Sequence, residues 1–182
     1  MEFEREVKLL GIDLDELEQK LISNGAVLLT KEYQENILID STTHPVKNFS
    51  DSYMRIRVNK DLVKNTTKNI YTLKERVFTE SGIRESVEHS ILIEDVNGLL
   101  EILNKLGYDL VERGYKDRTS YILDNCRIDL DTWDKETYPY PYAEVEVQDK
   151  GSIEKLLKKL NIDERHISTK SIKQLKDELV NK

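Results

Sequence analysis

Residues 2–10, EFEREVKLL, set Glu4, Glu6 and Lys8 at alternate positions, with Phe3, Val7 and Leu9 between them. Side chains alternate faces along a strand, so this segment reads as a strand with one charged and one apolar face. The pattern recurs. Arg55 and Arg57 oppose Met54, Ile56 and Val58. Thr72, Lys74 and Arg76 oppose Tyr71, Leu73 and Val77, and Arg84, Ser86 and Glu88 oppose Ile83 and Val87. Lys116 and Arg118 stand two apart. Asp129 and Asp131 oppose Ile128 and Leu130, and Glu144 and Glu146 oppose Val145 and Val147.

For any single strand the plain reading is an antiparallel sheet with one face on the core and one in water. The whole set fits that poorly. A solvated face mixes Thr, Ser, Gln and Lys, whereas here nearly every position is charged. Like charges also stand in pairs, which repel unless an opposite charge lies between them. Closing the sheet into a barrel explains both features. The apolar faces then point outward under helices, and the charged faces line a polar tunnel. Glu4, Glu6, Glu88, Asp131, Glu144 and Glu146 supply its acids. Lys8, Arg55, Arg57, Lys74, Arg76, Arg84, Lys116 and Arg118 supply its bases. Carboxylates without His or Cys suit the hard cations Mg²⁺ or Mn²⁺. Abundant Arg and Lys suit a multiply charged oxyanion. Together they describe a phosphoryl-transfer site.

Charged residues make up 35% of the 182, and this tunnel gives the excess a home. A chain this long buries roughly 70% of its unfolded surface and needs no disulfide or metal to fold. The net charge of −7 argues against a nucleic-acid coat or an anionic membrane partner. Cys126 is the sole cysteine, so it forms no internal disulfide. No apolar run approaches a membrane span, and charges follow Met1 at once, so a cytoplasmic location is expected.

The element order is strand, helix, many strands, helix, many strands, helices: an α+β chain with a mainly antiparallel sheet. We expect a single unit over 1–182, with tunnel strands at about 2–149 and C-terminal helices at about 152–181. Asp13 and Asp95 read as helix caps, with Gly25 and Gly107 as stops. Residues 59–68 read as a long polar hairpin loop between strands 52–58 and 70–78. A strand starts at Gly82, one or two strands over 108–124 break near Gly114, another covers 142–149, and Ser152 caps a helix over 153–160.

The Glu4-Arg5-Glu6-Val7-Lys8 stretch resembles the first-strand motif of the CYTH superfamily, also called triphosphate tunnel metalloenzymes. Further matches follow in the family's order across about residues 2–147. They are Arg55-x-Arg57, Thr72-Leu73-Lys74, Arg84 with a later Glu, Lys116-x-Arg118 with Tyr121, Asp131, and Glu144-x-Glu146. The pairing of Asp129-Leu130-Asp131-Thr132-Trp133 with Pro141-Tyr142-Ala143-Glu144-Val145-Glu146 is similar to the bacterial branch.

The resemblance implies a closed eight-stranded antiparallel barrel with helices outside. It also implies Mg²⁺- or Mn²⁺-dependent hydrolysis of inorganic triphosphate or an organic triphosphate such as thiamine triphosphate or a nucleoside triphosphate. Class IV adenylyl cyclase chemistry is the alternative, and a polyphosphate- or nucleotide-binding module is the non-enzyme alternative. By resemblance Glu4, Glu6, Glu144 and Glu146 are metal ligands, with Asp131 and Glu88 beside them. Lys8, Arg55, Arg57, Lys74, Arg84, Lys116 and Arg118 bind phosphate, and we add Arg76 from its strand face. Glu4, Glu6, Lys8 and Lys74 are the expected catalytic set. The expected partner is a triphosphate-containing small molecule, not nucleic acid or membrane, with a homodimer left open.

Departures from the family pattern are informative. Arg84-Glu85-Ser86-Val87-Glu88 keeps only Glu88 in register, and Glu85 points outward unless a bulge shifts it. No His-Phe pair precedes Glu4, which disfavours the cyclase. His44, His89 and His166 receive no role. Trp133, Tyr138, Tyr140 and Tyr142 read as packing of a Pro-rich loop, and loop 41–51 as a flap at one tunnel mouth.

Overall fold

A computed structural model describes residues 2–77, 83–147 and 150–180. Nine strands and four helices follow one another within them. β1 (Glu2–Leu10) leads into α1 (Leu14–Ser23), then β2 (Val27–Asp40), β3 (Ser52–Asp61), β4 (Thr66–Val77) and β5 (Arg84–Ile93). α2 (Val96–Lys105) precedes β6 (Leu110–Leu123), β7 (Cys126–Trp133) and β8 (Tyr142–Glu146). α3 (Lys150–Leu160), the two-residue β9 (Ile167–Ser168) and α4 (Ile172–Val180) complete the chain.

Eight strands close into an antiparallel ring in the order β1-β5-β4-β3-β2-β6-β7-β8 and back to β1. The closure depends on β1. Its first half pairs with β5, Glu4 opposite Ser86 and Glu6 opposite Arg84. On its other edge it pairs with β8, Lys8 opposite Glu144. β9 continues the first edge beside Lys8 and Leu9. An eight-stranded barrel has an interior just wide enough for side chains or one small ligand.

The apolar faces point outward, as the alternation requires. Val7, Leu9, Ile128 and Val145 are buried under α1 and α3 through Leu17, Leu21, Ile153 and Leu157. A second cluster lays α2, through Leu103, on Ile37, Ile39, Met54 and Ile56. A third joins Tyr138, Tyr142 and Trp133 to Leu175 of α4. Trp133, Tyr138 and Tyr142 are therefore packing groups, whereas Tyr140 is exposed and only edges the Tyr138 ring. The Trp133 indole N–H donates to the Tyr142 hydroxyl at 2.8 Å.

Helix starts follow their caps. Asp13 accepts from the Glu16 amide and Asp95 from the Gly98 amide, both at 2.9 Å. Ser171 and Gln174 bond each other's amides in a capping box ahead of α4. Ser152 is not a cap, because α3 already runs through it. The buried stripe of Ile153, Leu156, Leu157 and Leu160 holds that first turn despite Gly151 and Ser152.

The hairpin loop is shorter than its polarity implies. Pairing continues through Asn59–Lys68 and Lys60–Thr67, leaving only Leu62–Asn65 as the turn. Backbone ladders are indifferent to side-chain polarity at an exposed hairpin tip. Asp61 braces the turn by accepting from the Val63 and Lys64 amides. Loop 41–51 is tied to the α2–β6 turn, where Ser41 Oγ donates to the Gly107 carbonyl at 2.6 Å and Thr42 bonds Asp109. The expected strand start at Gly82, and the strand ends at Phe78 and at 148–149, lie outside the described residues.

β6 is one continuous strand through Gly114, not two. The glycine is needed for space rather than for a break. A Cβ there would stand 2.5 Å from Thr137 Oγ1 and 3.2 Å from the Trp133 ring. Thr137 is itself held by Asp134, to which its amide and hydroxyl both donate at 2.8 Å. Gly114→Ala should therefore destabilise by about 1–3 kcal/mol, the usual cost of overpacking. Thermal denaturation should show a fall of several degrees, at about 2–4 °C per kcal/mol. An unchanged midpoint would mean that the 134–141 loop yields freely.

Candidate functional site

The lumen gathers the charged strand faces into a network in which a cation separates the acids. Lys8 lies 3.1 Å from Glu144 and 3.7 Å from Glu6. Arg84 reaches Glu6 at 3.6 Å. Arg118 binds Asp131 and Glu144 at 2.6 Å and Asp129 at 2.5 Å, and Lys116 donates to Asp131 at 2.8 Å. Across the lumen Lys74 joins Glu4 to Glu88, the latter at 3.0 Å, and Arg55 approaches Glu88 at 3.7 Å. This interleaving resolves the like-charge pairs on β1 and β8.

The charge states follow from burial set against these partners. Burial opposes ionisation of Glu144, but Lys8, Arg118 and Lys116 outweigh it and hold the carboxyl well below its ordinary range. Glu88 is likewise held down, against burial, by Lys74 and Arg55. Glu4 goes the other way. Burial pushes it up, Lys74 offsets part of that, and Glu88 and Glu6 add to the rise. Lys74 stays charged against burial because Glu6, Tyr53, Glu4 and Glu88 hold its ammonium above the ordinary range.

Two cations are less well supplied. Burial, then Arg118, pushes Lys116 down to about 8 despite Asp131. Burial, then Arg55 and Arg118, lowers Arg57 to about 10. Arg57 has no carboxylate partner among the described residues. Its one hydrogen bond runs from Nε to Asn36 Oδ1 at 3.1 Å. Arg55 Nε and Arg84 Nε are also buried without a hydrogen-bond acceptor.

The sequence-selected residues meet in this lumen. Glu4, Glu6, Lys8, Lys74, Glu88, Arg84, Lys116, Arg118, Asp131 and Glu144 belong to the ion-pair network, and Arg57 stands beside it. Glu146 pairs in register with Glu6 and Arg127. Arg76 sits at the rim, 4.0 Å from Asp51. Glu85 faces outward and bonds Arg5 at 3.2 Å, while Glu88 faces the lumen with no shift in register. Asp131 is fully buried and accepts from both Lys116 and Arg118. His44, His89 and His166 bond Ser41, Glu75 and the Leu10 carbonyl, with no lumen carboxylate among their contacts.

Asp129, Gln34 and Asn36 are buried polar residues of the lumen beyond those that the sequence marks as site residues. Asp129 carried a signal, since it shares the Asp131 face. It accepts from Arg127 at 2.9 Å as well as from Arg118. Gln34 and Asn36 are neutral and left no mark on a charge pattern, yet they are 1% and 4% exposed on the lumen side of β2.

The family model of the CYTH domain matches residues 2–177. The chain belongs to the CYTH family. Solved structures of the same fold align over nearly the whole chain. PH1819 from Pyrococcus horikoshii OT3 gives a TM-score of 0.76 at 24% identity, covering 96% of this chain and 98% of that one. PH1012 from the same organism gives 0.75 at 23%, covering 93% and 96%. HpAC1 from Hippeastrum, an adenylyl cyclase candidate described as having a dominant triphosphatase activity, gives 0.63 at 16%, covering 94% and 91%. No curated protein gives a significant sequence match. Among the described residues no helix of this CYTH protein is long and apolar enough to cross a membrane.

Lys116 gives the CYTH lumen a measurable signature. Its folded pKa, about 8, lies below the ordinary lysine value. Between pH 8 and roughly 10 the unfolded chain keeps that proton and the folded chain does not, so stability rises with pH. Urea denaturation should show a gain approaching 1.4 kcal/mol per pH unit in this window. Lys116→Met should lack the gain. Equal slopes in the two proteins would refute a desolvated Lys116.

Proposed function

We propose that this CYTH protein hydrolyses a triphosphate in its lumen with a divalent metal. The observation that carries the reading is a pair of unmet demands within one enclosed site. The Nε atoms of Arg55 and Arg84 are buried without acceptors, and Arg57 bonds only the neutral Asn36 amide oxygen. Glu4, partly buried and sharing Lys74 with Glu88, is meanwhile crowded by Glu88 and Glu6. Phosphate oxygens answer the first demand and a hard cation the second.

Glu4, Glu6, Glu144 and Glu146 would supply oxygen ligands of the kind Mg²⁺ or Mn²⁺ takes; among the described residues no three acids are gathered as a metal-binding group, and Glu4 and Glu144 face Lys74, Lys8 and Arg118 instead. A bound ion would neutralise phosphate charge and lower the pKa of an attacking water. The chain's own residues do the rest. Arg55, Arg57, Lys116 and Arg118 hold the phosphates by charge-assisted bonds. Lys8 and Lys74 exchange a carboxylate for a phosphate oxygen and stabilise charge as it develops there. Asp129 and Asp131 keep Arg118 and Lys116 aimed. Water attack on the terminal phosphorus breaks the anhydride P–O bond, releasing phosphate from the remaining diphosphate. Attack by a ribose 3′-hydroxyl in place of water is the cyclase alternative, and its products differ.

Purified protein should be assayed for phosphate, diphosphate and cyclic AMP with tripolyphosphate, thiamine triphosphate and ATP, with and without Mg²⁺ or Mn²⁺. Phosphate release that requires metal is the expected result, and stoichiometric cyclic AMP and diphosphate from ATP would reverse the choice. Glu4→Gln and Glu6→Gln should each lower metal-dependent turnover at least a hundredfold, about 2.7 kcal/mol in barrier, while the thermal midpoint stays near wild type. Near-normal turnover in both variants at limiting Mg²⁺ would remove these carboxylates from the metal site.

A further inference from the structure

Asn36 stands on β2 opposite Arg57 of β3, with its side chain on the lumen face and 4% exposed. Its carboxamide orientation follows from its bonding. Oδ1 accepts from Arg57 Nε at 3.1 Å, which leaves the amino group, Nδ2, buried and without any partner. A buried donor left unpaired is costly, and such an atom in a native site points to a missing acceptor.

We propose that Asn36 seats a phosphate of the substrate together with Arg57. This rests on the triphosphate reading above and adds a residue that reading does not include. The amide does two things that a carboxylate at the same place would not. It aims the guanidinium through Nε without cancelling its charge, so both Nη groups stay available for phosphate oxygens. It also offers Nδ2 as a further donor on the same side. An aspartate would hold Arg57 equally well, but it would neutralise the cation and present an acceptor where a donor is needed. Arg55 and Arg118 act on Arg57 as neighbouring cations, and a phosphate there relieves their mutual repulsion.

The test compares Asn36→Asp and Asn36→Ala with wild type by isothermal titration of tripolyphosphate without metal, alongside steady-state kinetics with metal. Loss of a charge-assisted contact predicts roughly ten- to a hundredfold weaker binding. Asn36→Asp should be the weaker binder of the two, although it is nearly isosteric. In each variant KM should rise by about the factor that its own binding loses, more for Asn36→Asp, while kcat changes little. A residue that only packed would give the opposite order, with alanine worse and aspartate near normal, and that order overturns the proposal. The thermal midpoints of the two variants identify any loss due to unfolding, and Asn36→Ser then serves as the smaller polar replacement, expected to bind between wild type and Asn36→Asp. Wild-type binding and turnover with an unaffected Asn36→Asp would sink the role of Asn36 alone. No tripolyphosphate binding by wild type would sink the lumen reading and this proposal together.

Discussion

A guanidinium only 7% exposed keeps its charge if carboxylates surround it, and Arg118 has three, on two neighbouring strands. Asp129 and Asp131 come from β7 and Glu144 from β8, while Arg118 itself comes from β6. The ion cluster therefore crosses three strands of the wall. From Glu144 it continues through Lys8 to Glu6 on β1, the strand that closes the ring. Removing Arg118 would leave Asp129, Asp131 and Glu144 short of a counter-charge, a loss of about 3–5 kcal/mol. The barrel's interior is thus a network of mutually dependent ions, and its geometry is fixed before any ligand arrives.

That dependence shapes the chemistry the lumen is suited to. Most acids are already paired with a lysine or arginine of the chain, so a metal and a polyanion gain most by binding together. On the proposed reading the anion would take the cations and the metal the freed carboxylates. Neither exchange leaves a charge uncompensated. A simple anion-binding protein would have little use for Glu4 and Glu6 in the same cavity. The apolar residues outside, under α1, α2 and α3, stabilise the barrel without intruding on this exchange.

The alternation of β1, β3, β4 and β8 made the lumen legible in the sequence, because a period of two assigns each charge a face without knowledge of any contact. The same period puts Glu88 inward and Glu85 outward unless a bulge intervenes, a choice the sequence leaves open and the unbroken β1–β5 register decides. Three things were harder to read. Gly114 looked like a strand break because glycine marks both breaks and close approaches, and only the position of Thr137 distinguishes them. The hairpin tip looked too polar to be strand, since composition reports solvation rather than backbone pairing. Asn36 carries no charge, so its contact with Arg57 depends on a cross-strand register that neither segment encodes alone. Asp131 was legible as a lumen acid but not as the holder of Lys116 and Arg118.

The central claim is that one lumen serves both a metal and a triphosphate. The most direct measurement is a crystal structure of the protein with Mn²⁺ and tripolyphosphate, located by anomalous scattering from manganese. The account predicts manganese on the Glu4, Glu6 and Glu144 side of the lumen and phosphates against Arg55, Arg57, Lys116 and Arg118. Manganese and phosphate both bound outside the barrel, with the lumen ion pairs unchanged, would contradict it.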